Sequence, residues 1–325
     1  MNNPIFWQKR NFLSIIFLPF SWLYIFASKL RDLFIKPIKI NKPIICIGNL
    51  TVGGAGKTPI AIELGNILKE MAVQFSYLGH GYKAKIKNFT LVNNKEHSSL
   101  EVGDEAILLS EIAPTFVAKN RVFAAKQIAK MPDEKLIIMD DGLQNPSLIK
   151  DLKILVIDGN YIFGNNLIFP VGPLRRSIKF GSKNCDLVIV IGSKKFKYAK
   201  EFQDKKIIFA NLKAVNSTKF KDQKFIAFCG IARPEKFFDT LKSNKIKVIE
   251  KISFADHHNF FDIEIEKLLK LSKEKSANLI TTKKDWVRMD KKYQRQIKYL
   301  DVKIEFEKED KKYIANKLNE IIKNN

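Results

Sequence analysis

Residues 44–71 read IICIGNLTVGGAGKTPIAIELGNILKEM. The first seven, IICIGNL, form a short continuous apolar run typical of a buried strand. From Pro59 onward, apolar residues recur at the spacing of one helix face. A glycine-rich turn joins the two elements, so this stretch predicts a strand–turn–helix unit of an α/β fold.

The glycine-rich turn matches the phosphate-binding P-loop pattern G-x-x-x-x-G-K-[ST], except that threonine replaces the first glycine. In such a loop the backbone N–H groups face a phosphate, the lysine reaches the β- and γ-phosphate oxygens and the last hydroxyl ligates Mg²⁺. The predicted nucleotide-binding residues are Thr51, Val52, Gly53, Gly54, Ala55, Gly56, Lys57 and Thr58.

A P-loop also needs a carboxylate for the metal at the end of a neighbouring strand. The run LIIMDDG at residues 136–142 supplies Asp140 and Asp141 directly after an apolar segment. We expect one or both to hold Mg²⁺ together with Thr58, directly or through water. The sequence leaves open which of the two is the direct ligand.

Further apolar runs without polar alternation lie at residues 136–140, 152–158 and 186–192, as expected of parallel strands covered on both faces. They predict a doubly wound parallel sheet. Three later runs, in residues 224–232, 246–254 and 277–285, predict a second, smaller α/β domain. A chain of 325 residues is long enough for two cores. We expect a P-loop domain at 38–210 and a C-terminal domain at 211–325.

The N-terminal segment, residues 1–37, contains an uncharged apolar stretch at 11–28 with basic residues on both sides. Its length is at the short limit for a bilayer span, and Pro19 is expected to kink it. Tryptophan, tyrosine and flanking lysine suit the headgroup region of a membrane. We predict a membrane-associated helix, interfacial or shallowly inserted; a buried helix of the soluble core is the alternative.

The net charge of +23 attracts polyanions: nucleic acid, an anionic membrane or a phosphorylated substrate. No aromatic–basic RNA-binding stretch and no zinc-ligand spacing occur, so nucleic acid is the least favoured partner. The three cysteines, Cys46, Cys185 and Cys229, lie in or beside apolar runs and are expected to be reduced core residues.

Groups that could handle a phosphoryl acceptor occur in two places. Asp104, at the start of a helix in VGDEAILL, could accept a proton from an attacking hydroxyl or merely cap the helix. FADHHNF holds two of the four histidines, His257 and His258, which suit proton handling better than metal binding. Arg175 and Arg176 could bind phosphate or be a solvated pair.

A rival interpretation comes from Thr282-Lys283-Lys284-Asp285, which mimics the guanine-reading element of GTPases. A GTPase should also carry D-x-x-G after a neighbouring strand, where this chain has Asp-Asp-Gly-Leu. A membrane-associated P-loop GTPase or ATPase switch is therefore the second hypothesis.

Seven motifs resemble, in order and spacing, those of the tetraacyldisaccharide 4'-kinases of lipid A biosynthesis. They are GNLTVGGAGKTP, VGDEAILL, DDGLQN, PVGPLRR, CGIARPEKF, FADHHNF and TTKKDWVR. The resemblance implies phosphoryl transfer from ATP, with Mg²⁺, to the 4'-hydroxyl of an acylated glucosamine disaccharide 1-phosphate, the lipid A precursor. It implies a peripheral enzyme on the cytoplasmic face of a Gram-negative inner membrane.

The resemblance also implies residue roles. In the family an aspartate and a histidine form a catalytic pair, and these roles fall on Asp104 and His257, with His258 as the alternative. Lys57 is the third expected catalytic residue. A two-domain α/β architecture with a cleft between the domains is implied as well.

Overall fold

A computed structural model of the chain describes residues 4–81, 85, 88–193, 196 and 198–324. Its strands form a nine-stranded sheet, in the order β13-β8-β7-β6-β1-β5-β2-β4-β3, and a four-stranded sheet, in the order β10-β9-β11-β12. The strands are β1 Ile44–Gly48, β2 Phe75–Gly79, β3 Thr90–Leu91, β4 Thr115–Val117, β5 Leu136–Asp140, β6 Leu152–Asp158, β7 Leu187–Ile191, β8 Lys206–Ala214, β9 Lys224–Cys229, β10 Lys247–Ser253, β11 Asn278–Thr282, β12 Lys298–Leu300 and β13 Val302–Phe306.

The helices lie mainly between successive strands, as in other α/β folds. They are α1 Phe12–Ile16, α2 Leu18–Leu33, α3 Lys57–Glu70, α4 Ser99–Val102, α5 Asp104–Ser110, α6 Arg121–Ala129, α7 Ile178–Lys183, α8 Pro234–Ser243, α9 Asp262–Glu274, α10 Lys283–Trp286, α11 Lys291–Gln294 and α12 Lys308–Lys323. Short 3₁₀ turns occupy Ile5–Trp7, Ala199–Phe202 and Ser217–Phe220.

The large sheet is parallel except at its two edges, where β3 pairs antiparallel with β4 and β13 with β8. β1 lies between β5 and β6. The chain order therefore reverses at β1, which is where ligands bind in open α/β sheets. This position places the turn after β1 at the ligand-binding edge.

The sheet is covered on both faces, which explains why its strands lack polar alternation. Alternate residues of β1 point to opposite faces: Ile45 and Ile47 pack with α3 and α12, whereas Ile44 packs with α6. All five residues of β1 are buried. The predicted doubly wound α/β class is confirmed.

The small sheet is parallel throughout. It has its own cores on both faces, around Phe225 and Leu241 on one and around Phe228 and Ile265 on the other. After the small sheet, the C-terminal end of the chain packs on the large sheet again. β13 pairs with β8, and Ile314 and Leu318 of α12 pack in the core that contains α3. The predicted division at residue 210 lies inside β8 and stays a prediction.

The N-terminal segment forms two helices. α1 ends at Ile16 and α2 begins at Leu18, with Pro19 in its first turn, where the missing N–H leaves no helical hydrogen bond unmade. Pro19 thus lies in the first turn of a helix, whereas the sequence had suggested a kink within one. Across the described part of the chain, no helix combines the length and hydrophobicity needed to cross a membrane.

The three cysteines are free and buried.

Candidate active site

The P-loop follows β1 and ends on the first turn of α3. Gly53 and Gly56 have φ angles of 101° and 93°, which L side chains rarely adopt. A Cβ added at Gly54 would meet nothing within 4 Å. The loop therefore faces an open space of the kind that a phosphate group needs.

Neighbouring segments fix the shape of this loop. The Asn49 side chain donates to the Thr51 carbonyl at 2.7 Å, and the Val52 N–H donates to the Pro173 carbonyl at 2.7 Å. Gly56 has a positive φ, which L side chains rarely adopt, so the backbone at this position favours glycine; a Cβ there would also lie 2.5 Å from Ile191 Cδ1, which would have to move. The backbone is pre-formed for binding.

Lys57 begins α3 and points toward the predicted metal-binding carboxylates. Its Nζ lies 3.3 Å from Asn49 Oδ1 and 3.6 Å from Asp141 Oδ1. Thr58 follows it in the first turn of α3. The ammonium group is thus held at the mouth of the loop.

Asp140 ends β5 and pairs in register with Ile47 of β1. Its side chain is buried, and its Oδ1 atom has no hydrogen-bond partner among the residues that the structure describes. Burial raises the pKa of this carboxyl to about 7. A buried carboxylate oxygen without a partner, next to a P-loop, fits a divalent cation.

Asp141 has a positive φ of 51° and faces cations. Arg175 Nη1 lies 3.0 Å from its Oδ2 atom, and Arg121 donates to its carbonyl at 3.0 Å. Burial alone would raise the pKa of Asp141, but Lys57 and Arg175 hold it well below its ordinary value. Arg175 therefore binds a site carboxylate, while Arg176 pairs with Asp32 of α2 at 2.6 Å.

The second part of the site is the start of α5. Asp104 is 4% exposed, and its Oδ2 atom lies 3.2 Å from His257 Nδ1. His258 instead contacts Glu264 at 2.8 Å and stacks on Phe254. Of the two histidines, His257 is the one that contacts Asp104.

Arg288, which sequence reasoning missed, connects Asp104 to the small sheet. Its Nε donates to Asp104 Oδ2 at 2.6 Å, and its Nη1 donates to Asp285 Oδ1 and to the Gly230 carbonyl, both at 2.8 Å. Lys284 pairs with Glu105 at 2.5 Å. These contacts join α5 of the large sheet to the segment after β11.

Asp104, Glu105 and His257 bring ligand atoms within 4.8 Å of one another, a spacing that could suit a metal ion. Lys284 and Arg288 already neutralise these two carboxylates. The cluster is better suited to proton transfer than to cation binding.

Asp285, the candidate guanine-binding residue, is not accessible to a nucleotide. Asp285 is 0% exposed and accepts hydrogen bonds from the Gly230 N–H and from Arg288. Its other oxygen contacts the Thr282 hydroxyl at 2.6 Å. A carboxylate that is fully buried and bonded in this way is not accessible to a guanine base, so the structure does not support the GTPase-like interpretation of residues 282–285.

The two parts of the site lie close to each other. Glu105 and Lys284 both act electrostatically on the Asp140 carboxyl. A small cavity of about 50 Å³ opens beside Asp104 and is lined by Ser99, Leu100, Gly103, His257, Asn259 and Arg288. The proposed base therefore faces a space next to the P-loop end of the sheet.

Lys284→Met is expected to move the acid limb of the kcat profile to higher pH. Burial alone would raise the pKa of Asp104, but Lys284 and Arg288 hold it well below its ordinary value. A base works as the carboxylate, so activity is present above this pKa and is lost as the pH falls through it. The variant is therefore expected to raise the pKa of Asp104, so that activity is lost at a higher pH than in the wild type.

The matched control is Lys283→Met. Lys283 pairs with Glu111 at 2.6 Å, away from Asp104. Measuring kcat against pH for both variants decides the matter, since coincident acid limbs would show that Asp104 does not set the profile.

Comparison with known proteins identifies the chain. A family model described as tetraacyldisaccharide-1-P 4'-kinase (LpxK) matches residues 13–322. The chain belongs to this family. The resemblance seen in the motifs is confirmed, and the chain is a kinase of the LpxK family.

Relatives and a solved structure agree with this assignment. Proteins named tetraacyldisaccharide 4'-kinase from Rickettsia bellii and Rhodospirillum rubrum are 38% and 34% identical, covering 88% and 94% of this chain and 89% and 94% of theirs. The crystal structure of LpxK from Aquifex aeolicus in complex with ATP superposes with a TM-score of 0.76 at 26% identity, covering 95% of this chain and 99% of that one.

Proposed function

We propose that this LpxK-family kinase transfers the γ-phosphoryl group of ATP to the 4'-hydroxyl of a tetraacylated glucosamine disaccharide 1-phosphate. The Asp104–His257 contact of 3.2 Å, near the Asp140 carboxyl on which Glu105 and Lys284 act, supports this most directly. A P-loop alone fits many nucleotide-binding proteins, whereas a buried base beside it fits transfer to a hydroxyl acceptor.

Residues 51–58 bind the triphosphate through their backbone N–H groups, and Lys57 neutralises charge on the β- and γ-phosphates. Thr58, with Asp140 and Asp141, would hold Mg²⁺, which supplies further positive charge to the phosphates. The orphaned Asp140 oxygen is the observation that supports a metal there.

Asp104 takes the proton of the 4'-hydroxyl as the new oxygen–phosphorus bond forms and the bond to the β–γ bridging oxygen of ATP breaks. An aspartate of low pKa is a weak base, but the loose transition state of phosphoryl transfer delays the loss of the proton. His257 orients the carboxylate of Asp104, and Arg288 holds the same carboxylate through a second contact. The products are ADP and the bis-phosphorylated lipid.

The acceptor lipid is held in a bilayer, because each buried CH₂ group contributes about 0.8 kcal/mol. The N-terminal helices suit a membrane surface, since many of their large apolar side chains are exposed. These exposed residues are Phe12, Ile15, Ile16, Phe17, Phe20, Trp22, Leu23, Phe26, Leu30, Leu33 and Phe34. Exposed basic residues accompany them: Lys9, Arg10, Lys29, Arg31 and Lys36.

The apolar surface is fixed relative to the P-loop. Ser21 donates to the Ile168 carbonyl at 2.6 Å, which holds α2 against residues 165–176. The same segment holds the P-loop through the Pro173 carbonyl and through the Arg175 N–H, which donates to Leu50 at 2.7 Å. A membrane contact by α2 would bring the P-loop near the bilayer. The location that we propose, as the family resemblance implies, is the cytoplasmic face of a Gram-negative inner membrane.

Replacing Phe20, Leu23 and Phe26 together by serine is expected to reduce binding to anionic vesicles by at least about tenfold. These side chains are 57–65% exposed, so the change removes membrane-contacting area without opening a core. Co-sedimentation with vesicles measures the loss. Serine at Phe261, directly before α9, and at Ile263 of α9, each 64% exposed, is the control. Equal vesicle binding by the two variants would exclude α2 as the membrane surface.

The activity itself is tested with purified protein, Mg²⁺, and ATP or GTP, with the disaccharide 1-phosphate lipid in detergent. We expect a bis-phosphorylated lipid with ATP and much slower turnover with GTP. A chain that hydrolyses nucleotide equally with and without the lipid, and phosphorylates none of it, would instead fit a P-loop switch.

A further inference from the structure

Arg233, which lies directly before α8, connects the unit that contains the small sheet to the P-loop. Its Nη2 atom donates to the Gly54 carbonyl at 2.6 Å and to Asp158 Oδ2 at 2.7 Å. The guanidinium carbon lies 4.7 Å from the centre of the Tyr161 ring. Pro234 begins α8 immediately afterwards and limits the backbone at this point. Arg233 is therefore a cation held in a fixed position on the nucleotide-binding loop.

The anchor of Arg233 is Asp158, at the end of β6 and beside β1. The Asp158 side chain is 3% exposed, and its Oδ2 atom contacts both Arg233 and Lys236, the latter at 2.8 Å. Its Oδ1 atom accepts the backbone N–H groups of Asn160 and Tyr161 at 3.0 and 3.3 Å. One carboxylate thus faces two cations, which leaves a surplus positive charge next to the P-loop.

Arg233 keeps donors for a further acceptor. Both of its hydrogen bonds use Nη2, and within the described part of the chain Nε and Nη1 have no hydrogen-bond partner. A guanidinium presents five N–H donors in a planar fork that matches phosphate oxygens. The space in front of Gly54, whose carbonyl accepts from Arg233, is open, since a Cβ added at Gly54 would meet nothing within 4 Å. The acceptor that fits this place is a phosphate group.

We propose that Arg233 is a catalytic arginine, supplied by the small α/β unit, that binds the terminal phosphates of the nucleotide on the P-loop. This rests on the proposed kinase function. Arg233 forms and breaks no covalent bond: its N–H groups donate to oxygens of the γ-phosphoryl group and of the β-phosphate, which gains charge as the bond between them breaks. An arginine that neutralises this charge accelerates transfer in other P-loop enzymes.

In this proposal the α/β unit that contains the small sheet takes part, through Arg233, in recognition of the γ-phosphate. Arg233 then distinguishes ATP from ADP through the charge and the oxygens of the γ-phosphate, which only ATP carries. The same contact joins the small sheet to the bound nucleotide.

Arg233→Ala is expected to lower kcat by roughly 10- to 100-fold, less than a full arginine-finger effect because Lys57 shares the phosphate charge. Without lipid, we expect its affinity for ATP to fall at least about tenfold and its affinity for ADP to change less. Arg233→Lys keeps the positive charge but loses the planar guanidinium group. Compared with Arg233→Ala, it should therefore restore ATP affinity more than kcat. Calorimetry with ATP and ADP, and turnover at saturating ATP, measure these effects.

Two controls separate this role from a structural one. Lys242→Ala removes an exposed lysine of α8, and Arg295→Ala removes an exposed arginine of the same unit. Both should change kcat and ATP affinity less than about threefold. If Arg233→Ala behaves as they do, or weakens ATP and ADP equally, the proposal is overturned. Nucleotide binding is measured without the acceptor, so this outcome is independent of whether the wild-type chain phosphorylates the lipid.

Discussion

Lys57→Met is expected to lower kcat by about 10³-fold. The Lys57 ammonium lies at the mouth of the P-loop, 3.6 Å from Asp141 Oδ1. Transfer builds charge on the bridging and γ-phosphate oxygens, and methionine removes the cation while keeping much of the side-chain volume. Steady-state turnover at saturating ATP and lipid measures the effect.

Lys69→Met is the matched control for Lys57, since it removes a lysine from the other end of the same helix. Its kcat should stay within about twofold of wild type, as for most surface substitutions. A Lys57→Met enzyme that retains more than a tenth of wild-type kcat would mean that the P-loop lysine does not act on the transferred group.

Asp104→Asn is expected to lower kcat by about 10³-fold and to leave ATP affinity within about threefold of wild type. The amide keeps the shape of the side chain but cannot accept the hydroxyl proton. Asp104 lies on α5, outside the P-loop, so nucleotide binding does not depend on its charge. Single-turnover transfer and ATP calorimetry on the same preparation measure the two quantities.

Removing a buried charge that pairs with Arg288 also weakens the fold, because breaking such a pair costs about 3–5 kcal/mol. Retained ATP affinity shows that the variant is folded at the assay temperature. Asp239→Asn, on the exposed side of α8, is the control for loss of an aspartate charge. Near-normal kcat in folded Asp104→Asn would mean that another group accepts the proton.

The sequence predicted the parts of the fold that local pattern determines. β5 and β6 were predicted at their observed bounds, since continuous apolar runs identify strands that are buried on both faces. β13 was not, because its burial alternates and its pairing with β8 joins residues that are far apart in the chain. Short-range periodicity carries no information on which sheet such an edge strand joins.

The candidate site divides in the same way. The P-loop and the Asp140–Asp141 pair follow from motifs in which spacing alone fixes the geometry. The partners of the proposed base and of the loop do not: Arg288 is 184 residues from Asp104, and Arg233 is 75 residues from Asp158. A lone arginine in sequence is most often solvated. Only the three-dimensional structure shows that Arg288 contacts Asp104 and that Arg233 contacts the P-loop. The three-residue spacing of Asp285 and Arg288 was the available local signal.

The central claim is that the P-loop presents a γ-phosphoryl group to a sugar hydroxyl held by Asp104. A structure with a non-hydrolysable ATP analogue, Mg²⁺ and the disaccharide 1-phosphate lipid tests it directly. We expect the triphosphate on residues 51–58, and the 4'-oxygen within hydrogen-bond distance of Asp104 and about 3–3.5 Å from the γ-phosphorus. A complex in which the 4'-oxygen faces away from Asp104, with the γ-phosphate directed elsewhere, would contradict the account.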